Sequence, residues 1–464
     1  CDGLTCTGLP AKVAMSSRPF TAETTMIIPP AAGPLLDRWA HARTSDPLVS
    51  RYRAFFALLD WEQVPERDPT RPWPGRPPHP TSAYVKALLI KCCEGLATST
   101  HLRTFLIEHP LLVLELGFRP VLDPHQPYGF VVDRTVPCAR WLCQQQRTLE
   151  HAILQRVLVG TVHALQHLVP GLGTTVAVDV KHIYAWVGEN NAKRNLPQRF
   201  DPTRQPRGDP DCLLGVKRRT NQEGKPQKEY LWGYGTGIVT TIASTPVLPP
   251  TDVVLAEVTQ TFNHQDVTYF HPLDQQVQTT LTRHPTNLTA DAAFDAWHVY
   301  QPCAERGGIA AIPLNQRGPR PARSADDHPI CAHGRVMTPV WQGQHEDGYR
   351  TQEYRCPLLR PLQTGQTCDH PQFAKGGCTK ATNIELGGRM RLDLDRQSEA
   401  YRTIYAQRTS AERINSQATA LGIERPKVRS MAAVARLNTL TYIVLNVRAL
   451  QRITAALAAH APPA

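Results

Sequence analysis

An α/β protein is predicted: a mixed-sheet core preceded by a helical block, interrupted by a Cys/His-rich insertion and closed by C-terminal helices. Three observations predict it. Apolar residues recur at helical spacing up to about residue 170, short β-rich runs take over from Thr174, and helical spacing returns from Ser398. At 464 residues the chain is too long for one simple core. Its texture divides it into a start and Pro-rich linker (1–80), a helical block (81–170), a first core part (171–314), the insertion (315–397) and a second core part (398–464).

The elements follow in order. A loose start precedes a helix from about Pro34 to Trp61. Seven prolines between Val64 and Pro80 exclude helix and ladder pairing, so this span is a linker. Thr81 or Ser82 is a suitable N-cap for the next helix, whose Val85, Leu88, Leu89 and Cys92 recur with helical period. Further helices are predicted from Thr98 to Ile107, from Leu111 to Leu116 before Gly117, and from about Val136 to Leu168 before Pro170. Strands are predicted over residues 174–180, 230–243, 253–258, 287–290 and 309–314, with a helix from Phe294 to Arg306. Residues 191–227 are polar and Arg-rich, an excursion between strands. Between 315 and 398 periodicity gives way to Pro, Gly, Cys and His. Ser398 opens a helix carrying Glu412, Pro426 breaks the chain, and Met431 to about Ala459 forms a last apolar-rich helix.

Charge narrows the class of partner. The formal net charge is +11, and such a basic balance points to a polyanion, of which nucleic acid is the commonest. The excess is local: 11 Lys or Arg against 5 Asp or Glu from Lys181 to Lys228, and 9 against 3 from Ser398 to Ala464. No run approaches 18 uncharged apolar residues, so no membrane partner is expected, and no signal-peptide pattern opens the sequence as given. Twelve cysteines without a regular pairing pattern read as reduced thiols in the cytoplasm, some of them metal ligands. Gly233, Gly235 and Gly237 lack the Lys of a phosphate loop, so no nucleotide cofactor is expected.

The chemistry-bearing residues are acidic. Asp179 ends one apolar β-like run and Asp291 follows another. Tyr405, Arg408 and Glu412 stand at i, i+3 and i+7, on one face of a helix. A lone Asp after a strand is more often a turn or helix cap. Arg408 is also placed to pair with Glu412, and Tyr405 to sit half-buried; what argues for more is the ordered set. With these residues the chain resembles the bacterial insertion-sequence transposases of the DDE, RNase H-like type. Their signature runs Tyr, two residues, Arg, three residues, Glu, six residues, Lys. Tyr405, Arg408 and Glu412 keep those gaps, whereas the Lys position holds Thr419, with Arg425 and Lys427 further on. Asp291-Ala292-Ala293-Phe294 fits the family's Asp, any residue, Gly or Ala, aromatic pattern, and Asp179-Val180-Lys181 fits its first-Asp strand. The resemblance covers roughly residues 80 to 460.

The resemblance implies an RNase H-like core, a helical DNA-binding block and two Mg²⁺ or Mn²⁺ ions held by Asp179, Asp291 and Glu412. Three converging carboxylates repel one another unless cations join them, and oxygen ligands suit these hard ions. It further implies DNA contacts from Tyr405, Arg408 and Lys181, double-stranded terminal inverted repeats and target DNA as partners, and a homo-oligomer in a synaptic complex at the bacterial nucleoid. Two alternatives stay open: a catalytically inactive transposase-derived DNA-binding protein, and a metal-dependent nuclease on the same fold. In the insertion, Cys331, Cys356, Cys368 and Cys378, with His333 and His370 among them, suggest a structural Zn²⁺ in a stretch with little core of its own. Their spacing is not a CxxC pair of pairs, and scattered free thiols are the other reading.

Overall fold

The computed structural model describes residues 33–68, 77–220, 226–245, 247–315 and 322–460. The expected loose start and the middle of the Pro-rich linker (69–76) lie outside these. The chain is a mixed α/β protein, and among the described residues no helix is long and apolar enough to cross a membrane.

The first block is helical: α1 (Gly33–Ser45), α2 (Pro47–Phe56), α3 (Thr81–Cys93), α4 (Ser99–Glu108), α5 (Pro110–Glu115), α6 (Val132–Thr135), α7 (Ala139–Thr148) and α8 (His151–Leu168). The helix predicted from Pro34 to Trp61 breaks at Asp46. Its carboxylate accepts from the amides of Leu48 and Val49, and Pro47 takes the first helical position. At α3 neither Thr81 nor Ser82 is the cap: both are already helical and Pro80 precedes them. The cap is Glu66 of the linker, whose two carboxylate oxygens accept from the amides of Thr81 and Ser82 at 2.7 and 2.8 Å. A carboxylate there also meets the positive end of the helix dipole. The helix predicted from Val136 to Leu168 is two, because Leu149 turns to φ −52°, ψ 131° between α7 and α8 and is buried.

The sheet is built from β1 (Thr175–Tyr184), β2 (Leu213–Thr220), β3 (Pro226–Thr245), β4 (Leu248–Thr261), β5 (Asn287–Thr289) and β6 (Ala310–Ala311). β1 lies between β3, antiparallel to it, and β5, parallel to it; β6 runs parallel to β5, while β2 and β4 each pair antiparallel with β3. Helices α9 (Phe270–Thr280) and α10 (Trp297–Glu305) lie between strands in sequence. The predicted excursion over 191–227 is shorter than expected, since β2 falls inside it. What remains is tied down: Asn190 bonds the backbone of Ala185 and Trp232, and the Trp232 indole donates to the Arg199 carbonyl at 2.8 Å. α9 was not predicted, although Phe270, Leu273 and Val277 mark its buried face.

The segment expected to be an insertion is not without regular structure. β7 (Thr338–Gln344), β8 (Arg350–Arg355) and β9 (Thr379–Asn383) form a separate antiparallel sheet, and α11 (Leu386–Asp393) leads back to the core. There Arg391 clasps the buried Asp295 carboxylate with two bonds, at 2.8 and 2.7 Å. The chain then runs through α12 (Glu399–Ala406), α13 (Thr409–Ala420) and α14 (Met431–Ala459). One large apolar core joins residues of the helical block, β1, β3, α13 and α14; a second packs α8, α9 and α10 on the sheet with the last turns of α14. α14 is buried nearly all round over Val434–Leu450, as a central helix must be.

Candidate active site

Asp179 sits in the middle of β1, its backbone paired with Ile238 of β3. On the other side Ala177 of β1 faces Thr289 of β5 in parallel register. Carried on by two residues, that register sets Asp291 beside Asp179, on chains ~4.8 Å apart. Asp291 also has a local task. Its side chain accepts from the Ala293 amide at 2.9 Å and caps a 3-10 turn, Ala292–Phe294, whose Phe294 is fully buried. The Asp-x-Ala-Phe pattern therefore describes a cap, a small residue and an anchor.

A third carboxylate, unpredicted, joins them. Asp266 opens a 3-10 turn, Asp266–Tyr269, that follows β4. Burial, then the charges of Asp291 and Asp179, push its pKa up to about 6. Asp179 is likewise pushed up to about 6 by burial and by Asp291, against the opposing pull of the Val180 amide, Arg408 and Asn415. The turn gets this close because β3 has no side chains in its way. A Cβ at Gly235 would lie 2.3 Å from the Tyr269 hydroxyl, and one at Gly237 would lie 2.6 Å from the Tyr269 ring. The glycine run of β3 is a seat for Tyr269. Asp266 was legible by the same rule that found the other two, an Asp shortly after a β-rich run.

The signature segment packs over these strands. Arg413 of α13 holds the Asp252 carboxylate of β4 with bonds of 2.7 and 2.6 Å. Asn415, one turn on from Glu412, donates to Asp179 Oδ2 at 2.8 Å, and its own Oδ1 is buried without a partner. The expected single helix is interrupted: Tyr405 lies in the last turn of α12, Glu412 in the first turn of α13, and Gln407 and Arg408 join them with helical backbone angles. The shared face survives the interruption, with Arg408 5.8 Å from the Tyr405 ring centroid and bonded to the exposed Glu412 carboxylate. Burial opposes the Arg408 charge, but Glu412, Tyr405, Asp179 and Asp291 together raise its pKa. Arg408 is thus bonded to Glu412 and within electrostatic reach of both aspartates.

The remaining predicted residues are placed as follows. Lys181 shares the Asp179 face of β1 and pairs with Glu424 at 3.1 Å. Tyr405 stacks on Tyr401 with ring centroids 5.6 Å apart. Thr419 is exposed and donates to the Asn415 carbonyl at 2.8 Å. In the insertion, burial and then the neighbouring Cys356 and Cys331 push the Cys378 thiol up to about 11, and Cys378 bonds Cys356. Cys331 heads a tight hairpin, accepting from the Gly334 amide and donating to Arg335. The His333 and His370 rings face each other at 5.8 Å. Cys368 is not among the groups acting on Cys378.

Hard oxygen donors fit a divalent cation here, and the orphaned Asn415 Oδ1 beside Asp179 is one more such donor. As the side chains lie, however, no three His, Cys, Asp or Glu among the described residues stand close enough to hold one ion. Glu412 is engaged by Arg408 instead. No protein-family model matches this chain, and no curated protein matches its sequence.

Proposed function

We propose that this chain is an insertion-sequence DNA transposase, a metal-dependent polynucleotidyl transferase that cuts double-stranded DNA at element ends and joins them to a target. The observation that carries the reading is that β1, which bears Asp179, runs parallel beside β5, two residues after which comes Asp291, under a segment that presents Arg408 and Glu412. The strand order is compatible with an RNase H-like core: β2 and β4 both pair antiparallel with β3, β3 pairs antiparallel with β1, and β5 and β6 continue parallel to β1.

In this reading Asp179, Asp291 and Glu412, with Asn415 beside them, would hold Mg²⁺ or Mn²⁺. A bound divalent cation supplies Lewis-acid stabilisation to a phosphodiester under attack. The chain's own residues do the rest. Arg408 exchanges the Glu412 carboxylate for a DNA phosphate, which its guanidinium grips with two parallel N–H groups. That exchange frees Glu412 towards the aspartates. Tyr405 offers a ring face to sugar or base, and Lys181 adds a positive charge on the Asp179 face. The helical block and basic surface bind the duplex, and two copies of the chain hold two ends.

The test is strand cleavage of a supercoiled plasmid carrying the element's terminal repeats, run with Mg²⁺, with EDTA, and with Glu412→Gln. Cleavage at the ends that needs both the metal and Glu412 is expected. A second reading, a DNA-binding relic, is favoured by Thr419 at the Lys position; salt-sensitive binding with no cleavage would establish it. The insertion is proposed to hold a structural Zn²⁺ on Cys331, Cys356, Cys378 and Cys368. Elemental analysis of purified protein should find about one zinc per chain, lost in Cys356→Ser; a zinc-free, folded wild type refutes the site.

A further inference from the structure

Between α13 and α14 the chain carries Arg425, Lys427 and Arg429, all exposed, alternating with buried Pro426 and half-buried Val428. The segment has no regular secondary structure and bends at Arg425 and Lys427. The segment docks beside the end of β1, where the Tyr184 amide donates to the Glu424 carbonyl at 2.9 Å. Each cation lies over an aromatic ring: Arg425 over Tyr184 at 4.2 Å, Lys427 over Trp186 at 5.6 Å and Arg429 over Trp186 at 4.8 Å. Trp186 is itself 41% exposed.

Surface cations are usually just solvated. These three differ in two respects. Among the described residues none of them is in an ion pair, and the adjacent Glu424 is held by Lys181. The rings also restrict them at no cost in charge, and a guanidinium lying on a ring keeps its N–H edge open to a phosphate. Tyr184 is five residues from Asp179, ~16 Å along the strand, which is about five base pairs of duplex rise.

We infer that Arg425, Lys427 and Arg429, braced by Tyr184 and Trp186, form a phosphate track that grips duplex DNA about five base pairs from the acidic centre. The inference rests on the transposase reading for its register, and on this surface alone for its partner.

The test is fluorescence anisotropy of a labelled 30-bp duplex of arbitrary sequence with the full chain in EDTA, from 50 to 300 mM KCl. Each phosphate contact contributes about 0.9 to the slope of log affinity against log salt. Arg425→Ser/Lys427→Ser/Arg429→Ser should therefore lower the slope by roughly 2–3 and weaken binding at least about tenfold at 100 mM salt. Arg283→Ser/Arg335→Ser/Lys375→Ser, with the same loss of charge elsewhere, should leave the slope unchanged. Lys427→Ser alone should lower it by about 0.9, which keeps the test valid if the triple variant does not fold. Unchanged slopes in the track variants, or an equal fall in the charge control, overturn the track. The plasmid assay separates the two ideas. Cleavage with an unchanged slope removes the track and keeps the enzyme; a lowered slope with no cleavage keeps the track and removes the enzyme.

Discussion

Asp179 shows what the acidic centre costs the fold. Its carboxyl is pushed from an ordinary 3.8 to about 6, because burial and Asp291 both disfavour the charge. A raised carboxyl pKa means that the folded chain holds its proton more tightly than the unfolded chain does. The contribution of Asp179 to stability is therefore fully present below pH ~4 and lost as pH rises through about 6. At pH 7 a carboxyl displaced this far costs the fold roughly 2–3 kcal/mol. Asp179→Asn should remove this dependence. In EDTA, the stability difference between variant and wild type should grow in the variant's favour from pH 4.5 to 7, read from urea unfolding at several pH values. A difference that shrinks over that window would show that Asp179 is stabilised as a charge. The same substitution should abolish plasmid cleavage, so stability and activity would move in opposite directions, as expected where a site is held in a strained ionisation state.

At the scale of elements, the third carboxylate depends on glycines in a neighbouring strand. Gly235 and Gly237 admit Tyr269, and Tyr269 ends the turn that Asp266 begins. Gly235→Ala sets a methyl 2.3 Å from the Tyr269 hydroxyl and should cost about 1–3 kcal/mol, as overpacking of a filled site does. In a Tyr269→Phe background that hydroxyl is gone, and the cost should fall by at least about 1 kcal/mol, measured as a double-mutant cycle in denaturant. Additive effects would mean that the turn does not rest on this seat. These elements also show where sequence reading reaches and stops. The strand bearing Asp179 was legible because it is a run of β-branched and small apolar residues, and the one before Asp291 because its Leu288, Thr289 and Ala290 read the same way. α14 was legible because it is apolar and follows Pro426. The split of α12 from α13, the Glu66 cap of α3 and the approach of Asn415 to Asp179 were not, since each is decided by a partner distant in sequence or by packing. The pairing of Glu412 with Arg408 is the competing use of the i, i+4 spacing that the sequence itself offers. The insertion's sheet was not legible because its strands are short and largely polar, as Thr338–Gln344 shows.

Across the whole molecule, α14 joins the parts. Its residues enter both apolar cores, and the helical block shares one of them with the sheet. Its buried polar groups fix the docking. Asn446 accepts from the Val254 amide at 2.9 Å and donates to the Val254 carbonyl at 2.8 Å and to Thr161 Oγ1 at 2.9 Å. One amide thus satisfies both backbone groups of a residue in β4 and a hydroxyl of α8. Leucine fills a similar volume but strands the Val254 N–H and C=O away from water, and each buried orphan costs about 1–3 kcal/mol. Asn446→Leu should therefore destabilise the protein by roughly 2–4 kcal/mol. Because α14 ties the helical block to the sheet, that loss should appear as a shift of one calorimetric transition. If instead a first transition moved and a second stayed in place, the helical block and the sheet would be separate folding units, and α14 would belong to one of them alone.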